Sequence, residues 1–275
     1  MHAPPQTRAR RGLRRKLVLG AAIVLPLAVL GVAAAVAYWP KELPAPLPPP
    51  REPVLPDLAM PPLRELYAGS GDETDSNYLY FTATIANIGA GPLVIHAVRA
   101  EERGNWRVSQ RFAERAGGLT ESETPATLVW GGHGHQHWHV RVGASYALAR
   151  TDGTILRTYE KVGYCFFDQR AFDLALPDAP KLPRFPKDTC EGEERLELDM
   201  GLSVGWSDPY QWTLPDQRLD VTGVADGEYR LLADADPDGW FRESDEANNG
   251  TWVEIRLTTS ADPPRVDVLR VGPHA

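Results

Sequence analysis

The chain of 275 residues carries 29 Lys and Arg against 37 Asp and Glu, a formal net charge of −8, and only two cysteines. At about 150 residues per domain, this length fits one large domain or two small ones. With 43% hydrophobic and 24% charged residues, the composition excludes a disordered chain and a disulfide-framework miniprotein. The negative balance argues against a nucleic-acid binder, which needs a basic surface to displace counterions. The 25 prolines and 24 glycines favour strands and turns over helices.

The charge is divided between two regions of opposite sign. Residues 1–16 carry six Arg and Lys and no acid, so this tail has a charge of +6 and the remainder has −14 (23 minus 37). Residues 17–39 follow without a charge, and at about 1.5 Å per residue they span the roughly 30 Å core of a bilayer. The pattern predicts a basic cytoplasmic tail at 1–16 and a transmembrane signal anchor at 17–39, with the rest of the chain at the cell surface. A cleaved signal peptide, which would give a secreted protein, is the alternative.

The remaining chain divides into three parts. Residues 40–54 form a Pro-rich linker that acts as a semi-rigid spacer, residues 55–260 form one domain, and residues 261–275 form a C-terminal tail. Both cysteines, Cys165 and Cys190, lie in the exported part. Outside the cytoplasm a disulfide is the expected state of such a pair, and a loop of this size would contribute roughly 3 kcal/mol.

Short aromatic and β-branched runs separated by turns predict strands throughout the domain. The predicted strands are residues 78–88, 93–98, 145–149, 155–167, 218–224, 228–233 and 251–257. Two long segments, 99–127 and 168–217, read as irregular loops. The expected fold is therefore all-β, an antiparallel β-sandwich with long irregular loops, preceded by one transmembrane helix.

The most informative segment contains four histidines at even spacing: His133, His135, His137 and His139. In a strand they share one face, because successive side chains alternate between the two sides. The opposite face is apolar and is the predicted core face: Trp138, Val140, Val142, Ala144, Tyr146 and Leu148. Imidazoles suit copper, zinc, iron or nickel, so the pattern predicts a transition-metal site. The spacing leaves open which metal binds and which three histidines bind it.

Four separated motifs together resemble the catalytic domain of the lysyl oxidases, over roughly residues 55–258 and in the same order. The motifs are HQHWH at 135–139, EKVGYCF at 160–166, MGLSVGWSDPYQW at 200–212, and LDVTGV with DGEYRL at 219–231. That family consists of copper amine oxidases. Their cofactor, lysine tyrosylquinone, forms from a lysine and a tyrosine of the protein itself.

The resemblance implies a role for individual residues. It makes His135, His137 and His139 the ligands of Cu²⁺, and it makes Lys161 and Tyr210 the precursors of lysine tyrosylquinone. Cys165 matches a disulfide cysteine of the family. A further family histidine after the triad corresponds here to Tyr146. Proximity to Tyr210 makes Asp208 a candidate general base, with His133 as a competitor.

A second ion site is suggested by the carboxylates and amides crowded into residues 236–249. Such hard oxygen ligands suit Ca²⁺, although an acidic turn is commonly only solvated. In the lysyl oxidases, the matching calcium ligands are Asp57, Leu58, Glu243, Asp245, Asn248 and Asn249. A calcium ion bound there would tie the first residues of the domain to its last strand.

The resemblance implies oxidative deamination of a primary amine, including the lysine of a protein substrate, to an aldehyde with release of hydrogen peroxide and ammonia. The alternative is a membrane-tethered, non-catalytic adhesion or binding module whose histidines hold a structural zinc. The two hypotheses differ in geometry, because only the enzyme requires Lys161 to lie near Tyr210 and the histidines. We expect a three-residue turn at Gly153, or an equivalent bulge, to set Lys161 opposite Ser145 on the histidine face.

Overall fold

The computed structural model describes residues 52–71, 76–131 and 136–272, and strands make up most of them. In chain order the strands are β1 (Pro53–Val54), β2 (Leu58–Ala59), β3 (Arg64–Ser70), β4 (Asn77–Asn87), β5 (Leu93–Val98), β6 (Arg107–Glu114), β7 (Leu119–Glu123), β8 (Leu128–Trp130), β9 (Trp138–Arg150), β10 (Ile155–Tyr164), β11 (Arg170–Ala171), β12 (Glu197–Leu202), β13 (Trp206–Tyr210), β14 (Arg218–Asp220), β15 (Gly227–Ala235), β16 (Gly250–Thr258) and β17 (Arg265–Val271). A short 3₁₀ turn covers Lys187–Cys190.

The described strands pair antiparallel, which confirms the predicted all-β class. The first sheet has the order β1-β6-β5-β12, with β7 also paired to β6. The second sheet has the order β10-β9-β15-β16-β17, with β8 also paired to β9. In the third sheet the order is β11-β13-β4-β14, and β2 and β3 also pair with β4.

The second and third sheets contribute the centre of the core. On β4, Leu79, Phe81 and Ile85 are fully buried, as the alternation of a strand requires. The Phe81 ring lies 4.7 Å from the Tyr146 ring of β9, centroid to centroid. The predicted core face of β9 is confirmed, because each of its six side chains from Trp138 to Leu148 is at most 8% exposed. The two sheets therefore pack as layers of a sandwich.

The N-terminal predictions concern residues that are mostly not described. The tail at 1–16, the signal anchor at 17–39 and the linker up to residue 51 lie outside the described residues. The end of the predicted linker forms β1 and pairs with β6. Within the described ranges, no helix is long and apolar enough to cross a membrane.

Several predicted element boundaries were wrong. The supposed loop at 99–127 contains β6 and β7, and the supposed loop at 168–217 contains β11, β12 and β13. Part of the predicted C-terminal tail forms β17, which pairs with β16. The predicted strands at 155–167 and 218–224 end earlier, at Tyr164 and Asp220. A long irregular stretch does remain between β11 and β12.

The predicted pairing of Lys161 with Ser145 was also wrong, because Lys161 pairs with Ala144. The three-residue turn is present, since Arg150 N–H donates to the Thr154 carbonyl at 2.8 Å across it. An irregularity after Ile155 then shifts the register by one residue. A second irregularity separates Lys161 from Val162, so the regular alternation of faces is interrupted between Lys161 and the histidine end of β9.

Candidate functional site

Lys161 and Tyr210 meet in the interior, although they come from different sheets. Lys161 lies on β10 and is 7% exposed, and Tyr210 ends β13 and is 8% exposed. The Lys161 Nζ atom lies 5.6 Å from the centroid of the Tyr210 ring and 3.5 Å from the Pro215 carbonyl oxygen. Burial lowers the pKa of the Lys161 ammonium, and the negative charge of Asp216 opposes part of that shift. A lysine with a lowered pKa releases its proton more readily and is a better nucleophile.

The Tyr210 ring is held on two sides. Its hydroxyl accepts the backbone N–H of Cys165 at 3.2 Å. The Tyr164 ring stacks on it with centroids 3.9 Å apart and an interplanar angle of 28°. Burial and then the charge of Asp208 raise the pKa of the Tyr210 phenol well above its usual range, so the isolated protein keeps this hydroxyl protonated.

Asp208 is a fully buried carboxyl of the site that has no hydrogen-bond partner among the described residues. Asp208 lies on the same face of β13 as Tyr210 and has no exposed surface. Both of its carboxylate oxygens lack a hydrogen-bond partner. Burial and then the charge of Asp168 raise the pKa of the Asp208 carboxyl well above its usual range. A buried carboxyl with a raised pKa is typical of the groups that exchange protons in acid–base catalysis.

Two more buried tyrosines complete the surroundings of Asp208. The hydroxyls of Tyr146 and Tyr164 lie 3.2 Å apart. The charge of Asp208 acts on both phenols, although burial is the main reason that the pKa of Tyr146 rises to about 12. Tyr146 stands where the lysyl oxidases have a histidine. It belongs to the same cluster as Tyr210, because its hydroxyl contacts Tyr164, whose ring stacks on Tyr210.

The two described histidines of the HQHWH motif share one face, as the strand pattern predicts. The His137 and His139 rings lie 4.3 Å apart, centroid to centroid. His139 is 6% exposed and packs over Gly163, where an added Cβ would come within 3.1 Å of its ring. His133 and His135 lie outside the described residues. Two imidazoles at this separation offer the borderline nitrogen donors that copper accepts.

The predicted disulfide is present and lies between the histidines and Tyr210. Cys165 and Cys190 are bonded, and both are buried. Cys165 donates its backbone N–H to Tyr210, and Glu191, which follows Cys190, forms a β-bridge with His137. The bridge therefore joins the segment that holds the phenol to the segment beside the histidines.

The residues of the predicted calcium site come from both ends of the domain and mostly meet. The Leu58 N–H donates to Glu243 Oε2, and Asn249 Nδ2 donates to Glu243 Oε1 at 3.1 Å. Asn248 Nδ2 donates to Asp57 Oδ1 at 2.8 Å. Asp245 instead accepts the N–H of Ala247, which is a local turn contact.

This cluster leaves oxygen atoms that a cation could satisfy. The side-chain oxygens of Asn248 and Asn249 are buried without a hydrogen-bond partner. Burial raises the pKa of Glu243 to about 8, against an ordinary value of 4.5. Amide and carboxylate oxygens are the ligands that Ca²⁺ prefers, so the donor set fits this ion.

Among the described residues, one group of three His, Asp and Glu side chains has its ligand atoms within 4.8 Å of one another: His96, Glu197 and Asp199. Sequence reasoning missed it. His96 Nδ1 lies 2.8 Å from Asp199, whereas Nε2 faces Glu197 at 3.9 Å. Arg111 also binds Asp199, at 3.3 Å. Because the two ring nitrogens face different carboxylates and an arginine is present, the arrangement favours an ion-pair network.

Sequence reasoning also missed Asp168; besides burial, its charge raises the pKa of Asp208. Asp168 accepts hydrogen bonds from the backbone N–H groups of Arg184, Phe185 and Ser203 and from the Ser203 hydroxyl, at 2.7–3.2 Å. It thereby fixes the long loop between β11 and β12 against the turn that joins β12 to β13. Asp168 follows the matched segment EKVGYCF by only two residues, but no local pattern distinguishes it from an exposed loop aspartate.

Comparison with protein-family models and with curated proteins finds no match for this chain.

Proposed function

We propose that this chain is a copper-dependent amine oxidase of the lysyl oxidase type. One observation carries the proposal: the amine of Lys161 lies 5.6 Å from the Tyr210 ring centroid. The two residues are widely separated in sequence, they lie on different sheets, and they are the two that the resemblance makes cofactor precursors. A non-catalytic binding module has no need to bury a lysine against this tyrosine.

The proposed reaction consumes a primary amine, oxygen and water, and it yields an aldehyde, ammonia and hydrogen peroxide. Bound Cu²⁺ would supply the one-electron chemistry with oxygen that turns the Tyr210 phenol into a quinone, and the finished lysine tyrosylquinone would supply the electrophile for the amine. His135, His137 and His139 would hold the copper. The shared face of the His137 and His139 rings supports this assignment.

The protein's own groups provide position and proton transfer. Tyr164 and the Cys165 N–H hold the Tyr210 ring, and burial of Lys161 favours the neutral amine that must attack it. Asp208 is our candidate for the group that takes the proton from the carbon next to the amine nitrogen. The support is its burial beside Tyr210 and the absence of any competing hydrogen bond on its carboxylate.

Ca²⁺ is proposed as a structural ion held by Asp57, Leu58, Glu243, Asp245, Asn248 and Asn249. Its role would be to fix the start of the domain to the segment before β16. For localisation, we propose an extracytoplasmic domain, either membrane-anchored through residues 17–39 or secreted after cleavage. The buried disulfide supports an oxidising compartment.

The proposal is tested on the full-length protein, produced with its disulfide and loaded with copper in air. We expect a redox-cycling quinone stain, a cross-linked proteolytic peptide that joins residues 161 and 210, and peroxide release when pentylamine is added. All three signals should be lost in Tyr210→Phe, and the cross-link in Lys161→Arg.

Tyr229→Phe and Lys181→Arg are the matched controls. Tyr229 is a buried tyrosine that donates to the Ala225 carbonyl, and Lys181 is exposed. Both should keep the stain. Wild-type protein with bound copper but no stain and no peroxide would refute the enzyme and favour the binding module with a structural metal.

A further inference from the structure

One arginine is buried between two tryptophans on the side of β9 opposite the imidazoles. Arg99 follows β5 directly and is 8% exposed. Its guanidinium lies 4.6 Å from the centroid of the Trp106 ring and 4.7 Å from that of the Trp138 ring. The faces of indole rings attract a guanidinium, and the attraction is stronger where water is excluded. Trp138 stands between His137 and His139 in the chain, so this contact adjoins the histidine segment.

The Trp138 ring is restrained on further sides. The edges of the Trp106 and Trp130 rings meet it, with centroids 5.0 Å and 5.3 Å away. Its Nε1 atom donates to the Gly192 carbonyl at 3.0 Å. Because alternate side chains of a strand project from one continuous backbone, a fixed ring at residue 138 also limits the movement of the two flanking histidines.

Arg99 also fixes the turn that precedes β12. Its Nε atom donates to the Arg195 carbonyl at 2.7 Å, and its Nη2 atom donates to the Glu193 carbonyl. In the same turn, Glu191 forms the β-bridge with His137. Arg99 therefore acts on the histidine segment along two paths, through the stacked indole and through the turn that pairs with it.

The histidine segment has a shape that such support would need to preserve. Alternate side chains on one face of a regular strand are about 7 Å apart at the backbone. The His137 and His139 rings are 4.3 Å apart, centroid to centroid, so the imidazoles converge. Convergence of this kind is what a shared metal ion requires, and movement of the backbone at residue 138 would disturb it.

We propose that Arg99 is a positioning residue for the metal site, because it stacks on Trp138 and binds the turn before β12 and thereby holds His137 and His139 in the arrangement that binds a metal ion. The lysyl oxidase motifs do not include Arg99. The inference rests on the proposed function only for the presence of a metal at the histidines. It applies equally to copper in the oxidase and to a structural zinc in the binding module.

The test measures metal binding apart from catalysis. Full-length protein carrying Tyr210→Phe cannot form the quinone, so Cu²⁺ can be titrated into it in competition with a coloured chelator. Adding Arg99→Gln should weaken Cu²⁺ binding by about tenfold or more, as the loss of a group that orients metal ligands commonly does. The electron paramagnetic resonance spectrum of the bound Cu²⁺ should also change. A role confined to stability would leave that spectrum as it is in the Tyr210→Phe parent, and this result would overturn the inference.

Arg230→Gln is the matched control. The Arg230 guanidinium also lies 4.7 Å from an indole centroid, that of Trp252, and it binds Glu254 at 2.8 Å. Arg230 pairs with Ala149, at the end of β9 farthest from the histidines. This variant should leave the Cu²⁺ affinity and the spectrum unchanged. Equal Cu²⁺ affinities in Arg99→Gln and Arg230→Gln would overturn the inference.

Arg99→Lys is a milder variant that decides the question if Arg99→Gln does not fold. It keeps the positive charge, but a single ammonium cannot stack as a plane and bind two carbonyls together. We expect its Cu²⁺ affinity to be lower than that of the parent by about threefold or more. An affinity equal to that of the parent would refute the positioning role.

The outcome is separable from that of the proposed function. Weaker binding of Cu²⁺ and Zn²⁺ in Arg99→Gln, in a protein whose wild type forms no quinone and releases no peroxide, would support the positioning role and refute the oxidase. Quinone and peroxide in the wild type, with an unchanged Cu²⁺ affinity in both Arg99 variants, would support the oxidase and refute the positioning role.

Discussion

The Lys161 Nζ atom lies 5.6 Å from the centroid of the Tyr210 ring, although β10 and β13 belong to different sheets. The contact is made by side chains alone and involves no strand pairing between the two segments. Either side chain can therefore be replaced without removing a backbone hydrogen bond from a sheet, so loss of function in such variants would report chemistry.

Replacing Asp208 by asparagine should lower activity without lowering the stability of the fold. Its raised pKa means that the folded state favours the protonated carboxyl. The stability that Asp208 contributes is therefore fully present below the pKa that its carboxyl has in the unfolded chain. It is lost as the pH rises towards the higher pKa of the folded protein. We expect Asp208→Asn to be at least as stable as the wild type in thermal unfolding at pH 8, while peroxide release falls by about 100-fold or more. A variant with normal activity would remove Asp208 from the mechanism.

Gly163 should position His139, which a matched pair of glycine variants can test. Gly163 has a φ of +101°, and an added Cβ would meet the His139 ring at 3.1 Å. Gly153 has a φ of +90° with nothing within 4 Å of an added Cβ. Both alanine variants should lose about 1 to 2 kcal/mol of stability, because alanine disfavours these angles. Only Gly163→Ala should weaken copper binding, by about tenfold or more in competition with a coloured chelator; equal copper affinities would contradict the role.

Glu243 should make stability depend on pH. Its pKa rises to about 8 in the folded protein, from an ordinary 4.5. Stability from this group is therefore present below pH 4.5 and falls by about 3 to 5 kcal/mol as the pH approaches 8. Glu243→Gln should remove this loss in urea unfolding at pH 8, because Asn249 can turn its amide and accept a hydrogen bond from the new side chain. A wild-type curve that is flat over this range would contradict the prediction.

Bound calcium should offset the loss of stability that the ionised Glu243 carboxylate causes at pH 8. A cation that binds the carboxylate competes with the proton, so added Ca²⁺ should raise the midpoint of thermal unfolding more at pH 8 than at pH 5. Chelator should restore the original midpoint. Asp57→Asn should reduce the rise in unfolding midpoint that Ca²⁺ produces. Unlike Glu243→Gln, it should not make the calcium-free protein more stable at pH 8. An equal calcium effect in the wild type and in both variants would exclude this site.

The disulfide should serve both stability and the site. Replacing Cys165 and Cys190 together by alanine should cost about 2 to 4 kcal/mol in urea unfolding. It should also diminish quinone staining, because the Cys165 N–H would no longer be fixed at the Tyr210 hydroxyl. Both sulfurs belong to buried residues, so thiol reagents should label the reduced wild type only in denaturant. Rapid reduction and labelling of the native protein would contradict this arrangement.

The strand pattern predicted the central strands well and the outer ones poorly. β5 matches its prediction, and β4 differs from it by one residue, because both strands carry the dense apolar alternation of a core layer. β7 was missed because its sequence LTESE has no buried face. β13 was missed because it contains Asp208 and Pro209, which strands normally avoid. Pro209 is tolerated there because β11 pairs with only Ser207 and Trp206, so no partner needs its missing N–H on that side.

The sequence predicted which residues belong to the candidate site but not how they are arranged in space. Even spacing placed His137 and His139 on one face, the exported position of both cysteines predicted their disulfide, and the resemblance singled out Lys161 and Tyr210. The register of Lys161 could not be predicted, because it depends on the irregularity after Ile155, which leaves no local pattern in the sequence. The stacking of Tyr164 on Tyr210 and the hydrogen bonds of Asp168 to residues 184, 185 and 203 depend on packing between elements distant in sequence, which no single motif encodes.

Because Lys161 and Tyr210 lie on different sheets, the proposed cross-link between them would also affect the stability of the fold. A covalent bond between them would link the second and third sheets permanently. It would close a loop of about 50 residues, for which chain entropy predicts roughly 4 kcal/mol. If the proposed cross-link forms, the cross-linked protein would therefore resist unfolding better than the protein without it, and one oxidation would create the reactive group and stabilise the domain around it.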